Sequence, residues 1–217
     1  MRIINRAKHR FSAWNRRRKL AFMRGYVEQH GLRTVIFVGT GGRRKPSAGM
    51  IEDGIAPLVR VIAGCDVQVR PYAFAPFVVC DGRALPFRDD AVDLVISNAV
   101  LEHVGDADDQ LRFLAEHARV GRRWIATTPN RWFPVEAHTD AVFRHWSPRW
   151  RAAHSEVFTR LLTRRELLGL LPTPHARVRG RFWSATFTAH GPGAQADTTA
   201  QVPVTGQQVA GSARKSP

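Results

Sequence analysis

Between residues 34 and 130 one texture repeats: an apolar run of strand length, a turn rich in glycine, proline or acid, then a stretch with helical spacing. The runs are TVIFVGTGG (34–42), LVRVIAGCD (58–66), PFVVCD (76–81), VDLVISNAV (92–100) and WIATTPN (124–130). Apolar runs of this kind suit strands covered on both faces, the normal condition inside a parallel sheet. Parallel neighbours need crossover connections, and DADDQLRFLAEHARVG (106–121) supplies one, with Leu111, Leu114, Ala115 and Ala118 expected on its inner face. ELLGLLP (166–172) reads as a late helix and HARVRGRFWSATFTA (175–189) as a final hairpin or edge pair. The expected fold is therefore α/β, a doubly wound and mostly parallel sheet.

With 217 residues the chain suits one full domain with appendages. Its charge is uneven. Nine basic and no acidic side chains fall in residues 1–24, whereas residues 25–163 carry 17 basic and 16 acidic ones. Three segments follow: a basic amphipathic helical segment at 1–32, a domain at 33–189 and a disordered tail at 190–217, where large apolar residues almost vanish. In the first, Ile3, Ile4, Ala7, Phe11 and Trp14 recur at helical spacing among arginines. Such a helix either rests on an anionic membrane or phosphate backbone, or packs its aromatic stripe on the domain. No 18-residue apolar run is present, so no transmembrane helix is expected, and the N-terminus lacks the apolar stretch of a signal peptide. Two cysteines, Cys65 and Cys80, cannot form a disulfide framework or a four-ligand zinc site. The expectation is a cytoplasmic protein without a metal, its basic helix able to lie on the inner face of a membrane.

Ligands of an open parallel sheet sit beyond the carboxyl ends of the strands. Gly39, Gly41 and Gly42 end the first run, where glycine lets backbone approach a bulky ligand. Position 44 is Arg rather than the glycine of a dinucleotide fingerprint, which disfavours a nicotinamide site. Asp66 ends the second run and could accept from both hydroxyls of a ribose; Asp81, followed by Gly82, ends the third and suits an adenine amino group. Either aspartate could equally serve only as a turn residue. Asp93 is expected to fix the start of the fourth strand.

The stretch VVCDGRALPFRDDAVDLVISNAVLEHVGD (78–106), with VIFVGTGG upstream and ARVGRRWIATTPNRWFPVE downstream, resembles the class I S-adenosylmethionine-dependent methyltransferases. The likeness is to the broad small-molecule group with a D-A-x-x-L-P-F, F-D-x-V and LEH signature, and it covers about residues 33–165. It implies a seven-stranded Rossmann-like sheet with an antiparallel last strand, and methyl transfer from S-adenosyl-L-methionine. It also implies that Gly39, Thr40 and Gly41 lie beside the methionine part of the cofactor and that Asp66 binds its ribose. Asp81, Gly82 and Arg83 would form the adenine segment, with Asn98 and Ala99 beside the sulfonium. The chain departs from the family at Phe37, where an acid is usual, at Thr40, where cysteine is frequent, and near Gln68, which competes with Asp66.

An activated methyl needs chiefly an acceptor held in line with it, and a base only where the acceptor must lose a proton. Glu102 and His103 are the first candidates for that base; Asn130, His138 and Asp140 form a second group. His103 could also be a packed helix-start residue. His145 and Trp146 are expected to wall the substrate, and Trp132, Phe133, Phe143, Trp146 and Trp150 to form an apolar pocket or a core cluster. The leading expectation is a methyltransferase of a small-molecule or lipid-like acceptor. The alternatives are an RNA methyltransferase using the basic ends, and a non-catalytic relative for which Phe37 and Thr40 speak.

Overall fold

The computed structural model describes residues 2–40, 51–68, 76–136, 138–157 and 160–195, with side chains from residue 10 onward. Seven strands form one sheet: β1 (Thr34–Val38), β2 (Arg60–Asp66), β3 (Phe77–Val79), β4 (Val92–Asn98), β5 (Gly121–Pro129), β6 (Arg177–Arg179) and β7 (Thr186–Pro192). Their order is β3-β2-β1-β4-β5-β7-β6. The pairs from β3 across to β5 are parallel, and β7 runs antiparallel to both β5 and β6. This is the expected doubly wound sheet. Because β1 pairs with β2 on one side and β4 on the other, the strand order reverses at the β1/β4 junction.

Alternation along each strand decides which helix covers it. Ile36 and Val38 of β1, Val95 of β4, and Trp124 and Ala126 of β5 pack with Phe113, Leu114 and Ala118 of α3 (Ala107–Val120). Val35, Phe37, Leu94, Ile96 and Ile125 face the other way and pack with Met23, Tyr26 and Val27 of α1 (Arg2–Gln29) and with Ile51 and Ile55 of α2 (Ile51–Ile55). Full burial of each such side chain is worth about 1.5–3 kcal/mol. The last turns of the basic helix are thus core, while Phe11 and Trp14 remain 41% and 50% exposed. The packing reading of this helix holds for its last turns, around Met23, Tyr26 and Val27.

The inner face of α3 is rotated from expectation. Gln110, Phe113, Leu114, His117 and Ala118 are buried, whereas Leu111 is 41% exposed and Ala115 faces solvent. Both stripes have helical period, but this one buries the larger Phe113. Asp106 caps the helix by accepting from the Asp108 and Asp109 amides. Asp93 fixes the start of β4: its Oδ2 accepts from the Arg33 and Thr34 amides at 3.0 Å and from the Thr34 hydroxyl at 2.9 Å. The expected late helix is α5 (Arg164–Gly169), closed by a Thr163–Glu166 capping box, after the short α4 (Pro148–Ala152). The expected edge pair is β6 with β7.

The tail expected from residue 190 is corrected at its start. His190 to Pro192 complete β7 opposite Arg123 to Ile125, and the Gly193 amide donates to the Arg122 carbonyl at 2.7 Å. Small residues suit this stretch because the backbone runs close to its neighbours: a Cβ on Gly193 would lie 2.3 Å from the Gly121 carbonyl oxygen. Residues 196–217, Gly41, Gly42 and the segment RRKPSAG (43–49) lie outside the described residues.

Candidate active site

The carboxyl ends of β1, β2, β3 and β4 share one edge of the sheet. At the end of β1, Gly39 turns the chain with φ 69°, and its amide and that of Thr40 both donate to the Cys65 carbonyl, at 2.8 and 3.2 Å. A Cβ on Gly39 would lie 2.3 Å from Val100 Cγ2, so the turn requires glycine for both its dihedral and its space. Thr40 is 2% exposed, and its hydroxyl has no hydrogen-bond partner among the described residues. At the end of β2, Asp66 Oδ1 accepts from the Gln68 amide at 3.2 Å.

Beyond β3, the Asp81 carboxylate accepts from Arg83 Nε at 3.0 Å and Nη2 at 2.6 Å and from the Arg83 amide at 2.8 Å. Arg83 also reaches Asp109 of α3 at 2.8 Å. The guanidinium holds the Asp81 carboxyl below the usual carboxylate range. Gly82 lies tight under α3, where a Cβ would come 2.4 Å from the Phe113 ring.

At the end of β4, Asn98 Oδ1 accepts from the Thr127 hydroxyl and from Lys19 Nζ, both at 2.8 Å. Lys19 comes from α1, 79 residues away in sequence; burial pushes its ammonium down to about 8, against an opposing pull from Glu102. Asn15, one helical turn earlier, donates to Thr186 Oγ1 at 3.1 Å. Ala99 follows with φ 57°, a left-handed conformation that costs a non-glycine residue roughly 1 kcal/mol or more, and the Thr127 carbonyl and hydroxyl take its amide.

A single helical turn, Leu101–His103, comes next. Glu102 is fully buried; its Oε2 accepts from the Thr128 hydroxyl at 3.0 Å, and burial raises its carboxyl to about 7. Its Oε1 lies 4.0 Å from His103 Nε2 and 3.7 Å from His138 Nε2. The two imidazoles meet edge to face with centroids 4.9 Å apart. Burial lowers the His103 pKa, and the hydrogen bond to Glu136 raises that of His138. His138 Nδ1 is 2.7 Å from Glu136 Oε1, and Glu136 Oε2 also accepts from the Thr139 amide and hydroxyl, at 2.7 and 2.8 Å. Against the pull of burial, these bonds hold Glu136 at about 2.

Of the expected residues, Glu102, His103 and His138 come together, whereas Asn130 and Asp140 are held by other bonds. Asn130 is a structural clamp: it donates to the Phe182 and Ser184 carbonyls and accepts from the Trp132 amide. Asp140 sits in a left-handed turn bonded to Glu136 through its amide. His145 is buried against the Phe133 carbonyl at 2.8 Å. None of these aromatics belongs to either core cluster of the sheet. Trp146 contacts Trp132 and Phe143, Phe143 is 52% exposed, and Phe133 stacks on Phe11 of α1 at 5.4 Å. Reading the sequence missed Lys19, Glu136 and the Thr127–Thr128 pair. The i, i+4 spacing of Asn15 and Lys19, and the Glu-x-His of 136–138, were the available signals.

Residues 55–123 match the methyltransferase-domain family. No curated protein matches the chain. Among solved structures, it resembles the geranyl diphosphate C-methyltransferase of Streptomyces coelicolor A3(2), solved with Mg2+, geranyl diphosphate and S-adenosyl-L-homocysteine, at 15% identity and TM-score 0.51, over 79% of this chain and 78% of that one. A Haloferax volcanii protein solved with the methyltransferase activator Trm112 is 17% identical with TM-score 0.52, over 84% of this chain and 95% of its own. YcgJ of Bacillus subtilis is 15% identical with TM-score 0.50, over 75% and 70%. At such identities the likeness is one of fold.

Proposed function

We propose that this chain, a class I methyltransferase by its fold and by the match of residues 55–123, transfers a methyl group from S-adenosyl-L-methionine to a small-molecule or lipid-like acceptor. One observation carries the reading: consecutive strand ends bring Gly39 and Thr40, Asp66, Asp81 with Arg83, and Asn98 with Ala99 to the edge where the strand order reverses. The local chemistry fits the cofactor. The Gly39 turn has room only for backbone, and the buried Thr40 hydroxyl is left for a ligand or for residues beyond those described. Gly39, Thr40 and Gly41 would hold the methionine part, Asp66 the ribose, Asp81 to Arg83 the adenine, and Asn98 and Ala99 the region of the sulfonium. When bound, S-adenosyl-L-methionine supplies a methyl group already activated on sulfur.

The protein's own work is then to orient and to exclude water. Lys19 and Thr127 fix Asn98, and the Thr127 carbonyl and hydroxyl hold Ala99 in its left-handed turn, so the wall beside the reacting atoms is rigid. Glu102 and His103 stand next along the chain, where an acceptor hydroxyl would be held and relieved of its proton. The domain we assign starts at residue 33 and runs through the end of β7 at Pro192, with α1 laid over it, and Lys19 and Phe11 make that helix part of the acceptor side.

S-adenosyl-L-homocysteine should bind the purified chain in calorimetry, and Asp81→Ala should weaken it about tenfold, the scale of one hydrogen bond to a charged group. No heat and no thermal shift at millimolar ligand would sink the enzyme reading in favour of a non-catalytic relative. Affinity unchanged in Asp81→Ala would remove Asp81 from the site.

The exposed Phe11 and Trp14, with Arg10, Arg17 and Arg18 exposed around them, support contact of α1 with an anionic membrane surface. No described helix is long and apolar enough to cross a membrane. Arg10→Glu, Arg17→Glu and Arg18→Glu together should abolish co-sedimentation with anionic vesicles and leave the fold intact. Retained sedimentation, or binding of RNA in place of vesicles, would overturn the membrane reading. Deleting residues 1–24 is no substitute, because Met23 is core.

A further inference from the structure

We propose that Glu102, His103 and His138 form a binding site for one divalent transition-metal ion of the zinc class, beside the acceptor position. One ligand atom from each lies within 4.8 Å of the others, the one such grouping of His, Cys, Asp and Glu among the described residues. The Glu102 Oε1 separations of 3.7 and 4.0 Å to the two Nε2 atoms are too long for hydrogen bonds. They lie a few tenths of an ångström above the ~3.4 Å between two ligands of a tetrahedral ion with ~2.05 Å bonds. Side-chain rotation at His103, 40% exposed, can close that difference.

The surroundings of each ligand suit a metal. His138 Nδ1 lies against the Glu136 carboxylate at 2.7 Å; in the Nδ1–H tautomer this fixes the ring and turns a lone pair on Nε2 toward Glu102. Glu136 is itself held by the His138 and Thr139 amides and the Thr139 hydroxyl. Thr128 takes the other oxygen of Glu102. Two imidazoles and one carboxylate select a borderline transition ion over magnesium, and three protein ligands leave a coordination position open.

The inference deepens the proposed function and rests on it for the purpose of the ion. With Glu102 and His103 holding the ion instead of acting as the base, an acceptor hydroxyl entering the open position would lose its proton to bulk water as it binds, before the methyl transfer from which water is excluded, and keep the electron pair on oxygen. The sequence expectation of no metal considered only cysteine. The cluster is assembled from residues before α3 and after β5, so it exists only in the fold.

The test uses the full chain, stripped with chelator, dialysed and titrated with Co2+ while visible absorption is recorded. We expect one equivalent to bind with ligand-field bands, Zn2+ to displace it and Mg2+ to leave it in place. His103→Ala, at an exposed position, and His138→Ala should each weaken Co2+ binding about tenfold or more, while His175→Ala, on the surface elsewhere, leaves it unchanged. Circular dichroism of each variant confirms the fold. Absence of the bands, or equal Co2+ uptake by folded His103→Ala and His138→Ala, would overturn the site. S-adenosyl-L-homocysteine binding is measured on the same samples: its loss with Co2+ binding retained defeats the methyltransferase reading alone, and the reverse defeats only the metal site.

Discussion

Gly39→Val should abolish S-adenosyl-L-homocysteine binding and destabilise the protein by roughly 3 kcal/mol or more. Two separate costs add. A φ of 69° is left-handed, which costs an L-residue roughly 1–2 kcal/mol and a β-branched one still more. The new Cβ would then lie 2.3 Å from Val100 Cγ2 and 2.8 Å from Cγ1, and overpacking of this kind costs about 1–3 kcal/mol. Val100 lies just beyond β4 and next to Ala99, so the push is transmitted to both sides of the strand-order reversal. Urea unfolding and calorimetry check both effects. Pairing Gly39→Ala with Val100→Ala should recover the packing cost of Gly39→Ala alone and leave the dihedral cost. If Gly39→Val unfolds at the same urea concentration and binds the ligand as before, the turn assignment is wrong.

Acidification should cost the protein stability in a window set by its buried histidines. His117 is fully buried in the α3 face of the core, and desolvation lowers its pKa from 6.5 to about 4, although a hydrogen bond between Nδ1 and the Phe113 carbonyl opposes the shift. A folded value below the unfolded one means that the unfolded chain takes up the proton first. Stability is therefore complete above about 6.5, is lost progressively as the pH falls from there, and stops falling through this group near 4. That difference amounts to on the order of 3 kcal/mol. His190 adds to the effect in the same direction, desolvated and facing Arg179, His30, Arg177 and Arg123. Glu102 acts oppositely because burial raises its carboxyl. His117→Gln isolates one contribution: from pH 7 to pH 4 the wild type should lose on the order of 3 kcal/mol more than the variant. Parallel stability curves for the two would show that His117 is not the group responsible.

The strands were legible because each is a contiguous apolar run whose burial on both faces shows in its composition. Thus β1 (Thr34–Val38) lies within the run 34–42 and β4 (Val92–Asn98) within 92–100, while the run 124–130 overlaps all but the first three residues of β5 (Gly121–Pro129). The candidate cofactor residues were legible for the same reason, since a strand end and the residues after it are neighbours in sequence as well as in space. The face of α3 was not, because Leu111 and Phe113 both fit a helical stripe and only the neighbouring sheet selects Phe113. Nor was the extent of β7, whose last residues are small and join the sheet through backbone bonds opposite β5.

By itself, then, the sequence determined the class of fold, the edge of the sheet where the candidate cofactor residues lie, and the family likeness of its middle. Tertiary structure alone brought together the side chains of the side we assign to the acceptor. Lys19 meets Asn98 across 79 positions, and Glu102 faces His138 although α3 and β5 separate them in the sequence. The last turns of the basic helix likewise become core only when Met23, Tyr26 and Val27 find Phe37 and Ile96. Local spacing can announce a strand or a turn, but a contact between distant side chains depends on how the whole chain closes, and no short pattern encodes it.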